Sequence, residues 1–268
     1  MDPWLLPVFG FFIGIAAALT GVGGGIFVVP VLSLLYGYSG SNTIFATATS
    51  LATIILTSFA STVNYTIQKR VYFKLGIVLA AATAPGAYAG ASLANLPLIK
   101  QWLGPIFGVF LIIVALQMVY RAVRTRTVER CGEKNKVFEN TLLRNGRKIA
   151  AGLFLGFFGG LMAGLLGVGG GIIMVPVMCY ALDFPIHFAI PTSMFIMIFT
   201  SISGVTNYAL QGEIVWLFAI YLGIGSIIGA QVGAYTSKKL TNRNLLIVFA
   251  AMLIIASINM ILKSFNII

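Results

Sequence analysis

Apolar residues run along this chain in long tracts, separated by short clusters of glycine, proline and polar residues. The tracts cover residues 4 to 20, 43 to 67, 75 to 96, 102 to 120, 149 to 166, 188 to 210, 215 to 236 and 244 to 262. Each approaches the ~20 residues that a helix needs to cross a bilayer. They are continuous rather than alternating, which excludes a lipid-facing β-barrel and leaves helices, whose backbone groups are satisfied internally. The pattern predicts an all-α polytopic membrane protein. Composition agrees: 59% of residues are hydrophobic, 9% are charged and the mean hydropathy is +1.00, against roughly a quarter charged in an average soluble domain. The first tract has the apolar centre of a secretory signal. Asp2 stands where a basic n-region is needed, however, and the segment has an internal counterpart at 149 to 167, so it is expected to belong to the mature fold.

Two tracts end in the same helix breaker. "GVGGGIFVVPVL" begins at Gly21 and "GVGGGIIMVPVM" at Gly167, matching at nine of twelve positions with an offset of 146. With a three-residue deletion the offset becomes 143, and "ATSLATIILTSFASTVNYTIQ" falls on "PTSMFIMIFTSISGVTNYALQ". The chain therefore reads as two copies, 1–125 and 147–268, joined by a polar connector at 126–146.

Charge decides how the copies lie. Nine of the seventeen basic residues fall between Arg121 and Lys148, the mark of a cytoplasmic segment. Four crossings per copy would leave thirteen basic residues inside and four outside. If each glycine motif instead folds its first segment back on itself, three full crossings remain and the copies are inverted. Fifteen basic residues then lie inside, against Lys100 and Lys263 outside. The expected fold is thus two homologous inverted repeats, each with a Gly-broken first helix, re-entrant or paired, plus three spanning helices. Both termini are then expected outside, with the connector in the cytoplasm.

Glycine permits the backbone dihedrals and close approaches that a mid-membrane break requires, and a helix restarting there presents N–H groups and partial positive charge. Broken helices in inverted repeats hold ions near the midplane of many secondary transporters. Gly23, Gly24 and Gly25, with Gly169, Gly170 and Gly171, are therefore expected to cradle a small anion; tight helix packing alone is the competing reading. For the GxxxG pairs Gly86/Gly90 and Gly229/Gly233 packing is preferred. Ser50, Thr57, Asn64 and Gln68 line one helix face, repeated by Ser193, Thr200, Asn207 and Gln211. Thr49, Ser50, Asn64, Thr192, Ser193 and Asn207 are the expected substrate donors, and interhelical glue is the alternative. Thr53 is taken as a control position on the opposite helix face from Ser50.

The remaining chemistry is sparse. The acidic residues, Asp2, Glu129, Glu133, Glu139, Asp183 and Glu213, all lie at ends or in connections, so no carboxylate is expected at the membrane centre. His187 reads as an ordinary interfacial histidine. No nucleophile–base–metal constellation points to an enzyme, no metal or cofactor is implied, and Cys131 and Cys179 have no metal-type spacing. The basic connector follows the positive-inside rule, so nucleic acid is not an expected partner.

At the paired "GVGGGI…VP" segments, at "ATATSL" and "AIPTSM", and at "NYALQGEIVW", the chain resembles the TauE/SafE family of sulfite and organosulfonate transporters, also called the four-toluene-sulfonate uptake permease family. The first copy departs from the pattern with Lys69 where the second has Gly212. The resemblance implies movement of sulfite, sulfonates such as sulfoacetate, or related small anions across a bacterial inner membrane. An anion channel and a nontransporting membrane scaffold are the other readings. Import versus export, coupling ion and oligomeric state, a homodimer included, are not legible.

Overall fold

The computed structural model describes residues 3–38, 42–123, 146–182, 184–236, 254 and 257–258. The connector short of Gly146, most of the tract at 244 to 262, and Asp2, Cys131, Asp183, Lys238, Lys239, Arg243 and Lys263 lie outside them. Every regular element among the described residues is helical. A 3₁₀ turn at Pro3–Leu5 leads into α1 (Leu6–Thr20), followed by α2 (Gly25–Tyr36), α3 (Thr43–Ile67), α4 (Phe73–Ala94) and α5 (Pro97–Val123). Then come α6 (Gly146–Leu166), α7 (Gly171–Pro176) with a π-turn at Val177–Ala181, α8 (Ile186–Leu210) and α9 (Trp216–Thr236).

Glycine and proline set the local endings. Gly21 and Gly37 close α1 and α2 in left-handed conformation, donating to Ala17 O and Ser33 O. Pro176 lacks the N–H that an α-helix would need at that position, and the chain continues as a π-turn with Leu182 N–H on Val177 O. Five helices, α3, α4, α6, the greater part of α8, and α9, are long and apolar enough to span a membrane.

The bundle is built from two tightly packed helix pairs, α1 with α9 and α6 with α4. α1 lies against α9, with Gly10 facing Leu222, Gly14 facing Ser226 and Gly233 facing Ile15, so the two run in the same direction. α6 lies against α4 the same way, with Gly152 on Leu79, Gly160 on Thr83 and Gly164 on Ala87. All but that of Gly152, which meets side chains, are backbone contacts. A Cβ at Gly229 would sit 1.9 Å from Phe11 O, and at Gly86 or Gly90 it would sit 2.2 or 2.0 Å from Phe157 O or Leu161 O. The GxxxG glycines therefore do what small residues do in membranes, letting helices close to van der Waals range.

α3 and α8 form the centre. Hydrogen bonds tie α3 in parallel to α9 (Thr57 Oγ1 to Ser226 Oγ at 2.8 Å, Asn64 Nδ2 to the Gln231 side chain at 2.8 Å). Matching bonds tie α8 to α4 (Thr200 Oγ1 to Thr83 Oγ1 at 2.9 Å, Asn207 Nδ2 to Ser92 Oγ at 2.7 Å).

The two ends of the bundle differ in chemistry. Lys69, Arg70, Lys74, Arg147 and Lys148 gather where α4 and α6 begin. At the opposite end stand Lys100 and the chain's three tryptophans, Trp4, Trp102 and Trp216, all exposed, as aromatic residues at a membrane–water interface are.

Candidate functional site

The two glycine breaks meet in the middle of the bundle. Gly21, Gly23 and Gly24 have φ of +74°, +88° and +77°, and Gly167, Gly169 and Gly170 have +69°, +77° and +87°, the same dihedral pattern written twice. A Cβ on Gly25 would lie 2.4 Å from Gly167 O, and one on Gly171 would lie 2.3 Å from Gly21 O. Only glycine fits either position, because each break rests on the other's backbone.

Restarting the helices leaves donors free of the helical ladder. Phe27 and Val28 N–H bond to Gly24 O, and Ile173 and Met174 N–H bond to Gly170 O. The N–H groups of Gly25, Ile26, Gly171 and Ile172 precede the first helical bonds, where an N-terminus carries its partial positive charge. From α3, Ser50 Oγ donates to Gly167 O at 2.7 Å; from α8, Ser193 Oγ donates to Gly21 O at 3.0 Å and to Ile190 O at 2.8 Å. Each serine thus holds a carbonyl of one break, Ser50 that of the second and Ser193 that of the first.

Thr49 and Thr192 brace the site from behind. The Thr49 hydroxyl accepts the Val215 N–H at 3.1 Å, and the Thr192 hydroxyl accepts the Tyr72 N–H at 3.2 Å. The structure therefore brings together ten of the twelve residues expected from sequence. Asn64 and Asn207 stand apart, fourteen residues beyond Ser50 and Ser193, or about 21 Å along a helix, and their amides bind Gln231 and Ser92.

Sequence reasoning missed two apolar residues at the same spot. Ile54 and Met197, related by the 143-residue offset, wedge between the breaks. A Cβ on Gly23 would be 2.4 Å from Met197 Sδ, and one on Gly169 would be 3.0 Å from Ile54 Cγ2. Both follow their serine by one helical turn, and as apolar side chains they carry no polar signal. The breaks, the serines, Ile54 and Met197 are all buried.

The loops after α3 and α8 share one conformation. Lys69 has φ +55° and Gly212 +71°, Arg70 N–H reaches Tyr65 O at 3.0 Å and Glu213 N–H reaches Tyr208 O at 3.1 Å. The Lys69/Gly212 difference thus leaves the turn intact, with lysine in a region that L-residues rarely adopt. The next residue carries opposite charge in the two loops. Arg70 Nε donates to His187 O at 3.2 Å and its guanidinium lies 5.6 Å over the Tyr65 ring; burial lowers its pKa, opposed by Tyr65. Glu213 pairs with Lys100, Nζ to Oε1 at 2.8 Å.

Among the described residues no group of histidine, cysteine or carboxylate side chains could hold a metal ion. Two neutral serine hydroxyls and the N–H groups of the restarted helices lie at the breaks.

The family model for sulfite exporter TauE/SafE matches residues 6–260. A probable membrane transporter protein of Bacillus subtilis, YunE, is 30% identical, covering 96% of this chain and 96% of its own. A second, MJ0441 of Methanocaldococcus jannaschii, is 25% identical over 96% of this chain and 95% of its own. A third, from Xylella fastidiosa, is 28% identical over 95% and 93%. No solved structure matches the chain. With a match along nearly its whole length and a bundle of apolar spanning helices, the chain belongs to the sulfite exporter TauE/SafE family of membrane transporters.

Proposed function

We propose that the protein is a secondary transporter of a small anion, sulfite or an organosulfonate such as sulfoacetate, bound between the two repeats near the bilayer midplane. The observation that carries this reading is the contact of the two breaks, with Ser50 on Gly167 O and Ser193 on Gly21 O. N–H groups at Gly23–Gly25 and Gly169–Gly171 supply positive potential. Rotation of either serine hydroxyl from its carbonyl to the anion adds a donor and, in the same motion, loosens the contact between the repeats. Thr49 and Thr192 position the serines, and Asn64 and Asn207 tie the moving helices to α9 and α4.

The repeats, 1–125 and 147–268, are read as inverted copies. In support, α1, α3 and α9 run one way while α4, α6 and α8 run the other, so each equivalent pair is antiparallel. α1 and α2, at 15 and 12 residues, are about 22 and 18 Å long, short of the ~30 Å hydrocarbon core, which favours a re-entrant hairpin. The basic end of the bundle and the 126–146 connector face the cytoplasm of a cell bounded by this membrane, by the positive-inside rule. The wedge of Ile54 and Met197 between the breaks favours alternating access over the open pore of a channel.

The test is a panel of sulfite, sulfoacetate, taurine, thiosulfate and acetate. A ligand of the native state at a hundred times its Kd stabilises by about 2.7 kcal/mol and raises the melting temperature. The stabilising anion then enters proteoliposomes with saturation and counterflow. Flux that never saturates would make the protein a channel, and neither binding nor flux for any anion would make it a scaffold.

A further inference from the structure

Glu213 is a carboxylate that its surroundings satisfy by half. Its side chain is 9% exposed, Oε1 is held by Lys100 Nζ at 2.8 Å, and Oε2 is buried with no hydrogen-bond partner among the described residues. Lys100, at the start of α5, is 31% exposed. No other charged side chain faces the pair from the described helices around it. α9 contains no charged residue, α3 contributes the neutral Thr49, and the Tyr208 phenol donates to Gly164 O. A buried ionised oxygen without a donor is costly, whereas a carboxyl group that takes up a proton no longer requires one. The loop is also linked to the candidate site, since Val215 N–H bonds Thr49, the neighbour of Ser50, which holds Gly167 O.

We propose that Glu213 is the coupling-proton site of the transporter and that Lys100 is the cation it releases to the substrate. A proton from water binds Oε2, the carboxyl group becomes neutral and the ion pair breaks. Lys100 stays an ammonium and pairs with the arriving anion, so one proton and one negative charge enter together at the end of the bundle that carries the tryptophans. The inference rests on the anion-transport reading above.

The test follows the protonated-carboxyl infrared band of the full chain in liposomes against pH, with 4-toluenesulfonate, a strong-acid anion of fixed charge, as probe. Wild type shows a carboxyl titration that Glu213→Gln lacks. Lys100→Gln, which keeps the carboxyl and serves if Glu213→Gln folds poorly, moves its midpoint up, because the cation that favours the charged form is gone. Adding 4-toluenesulfonate to wild type drives proton uptake, and adding it to Glu213→Gln drives none. A titration unchanged by either substitution overturns the proposal, as does 4-toluenesulfonate transport in Glu213→Gln with the pH profile of wild type. If the titration follows Lys100 while no anion of the panel binds or moves, the proton site stands and the transport reading falls.

Discussion

Replacing Gly25 by alanine tests the contact between the breaks with a single methyl group. Gly25 has no positive φ, so alanine is unstrained there and only space opposes it. Its Cβ would lie 2.4 Å from Gly167 O, 2.7 Å from Ile54 Cδ1 and 2.8 Å from Val168 Cα. Real Cβ contacts essentially never fall under 3.0 Å, so the second break must retreat by at least 3.0 − 2.4 = 0.6 Å. Overpacking of this kind costs about 1–3 kcal/mol. The displaced oxygen is also the acceptor of Ser50 at 2.7 Å, and a weakened buried bond adds about 0.5–1.5 kcal/mol. Together these lower the melting temperature by at least about 3 °C on the scale of a chain this size. Scanning fluorimetry in nanodiscs reads the shift, with Gly146→Ala as control because nothing lies within 4 Å of its Cβ. Anion affinity falls along with stability. If Gly25→Ala melts and binds like Gly146→Ala, the breaks do not rest on each other and the reasoning fails.

Ser50→Ala and Ser193→Ala each weaken binding of the stabilising anion roughly tenfold or more, since a hydrogen bond to a charged group contributes about 1.5–3 kcal/mol. Calorimetric titration checks this beside the exposed Thr206→Ala, whose hydroxyl only returns to Ile202 O, and normal binding with early melting would make the serines structural. Lys69→Gly relieves left-handed strain of about 1 kcal/mol and raises the melting temperature, whereas Gly212→Ala lowers it; equal melting of both with wild type would deny the shared turn. Cysteines placed in the 126–146 connector are protected from an impermeant reagent in whole cells while cysteines near the termini react, and the reverse pattern would contradict the inverted topology.

Much of this arrangement was legible because glycine and span length are strong signals in a membrane. The tract at 43 to 67 became α3 without a change of limits, and the GVGGG pairs became breaks with matching dihedrals. What escaped was the direction of individual side chains. In lipid the outward face is as apolar as the core, so periodicity does not separate them. Thr53, expected on the opposite face from Ser50, lies only about 60° round the helix from it at 3.6 residues per turn and is buried, its hydroxyl returned to Thr49 O at 3.0 Å. Threonine satisfies itself this way, so its presence does not reveal its neighbour. Asn64 and Asn207 occupied the right stripe at a depth where α9 and α4, not the breaks, supply partners. Ile54 and Met197 carried no polar signal, and only the fold shows them between the glycines.

The most direct measurement of the central claim is the position of the bound anion. Selenite, an isostere of sulfite, marks itself by anomalous scattering in crystals of the full chain. The account predicts a selenium peak between the two breaks, within hydrogen-bonding distance of Ser50 or Ser193 and of N–H groups at Gly23–Gly25 or Gly169–Gly171, lost in the Ser50→Ala, Ser193→Ala double variant. A peak elsewhere in the bundle, or a peak at the breaks that survives loss of both serines, would contradict it.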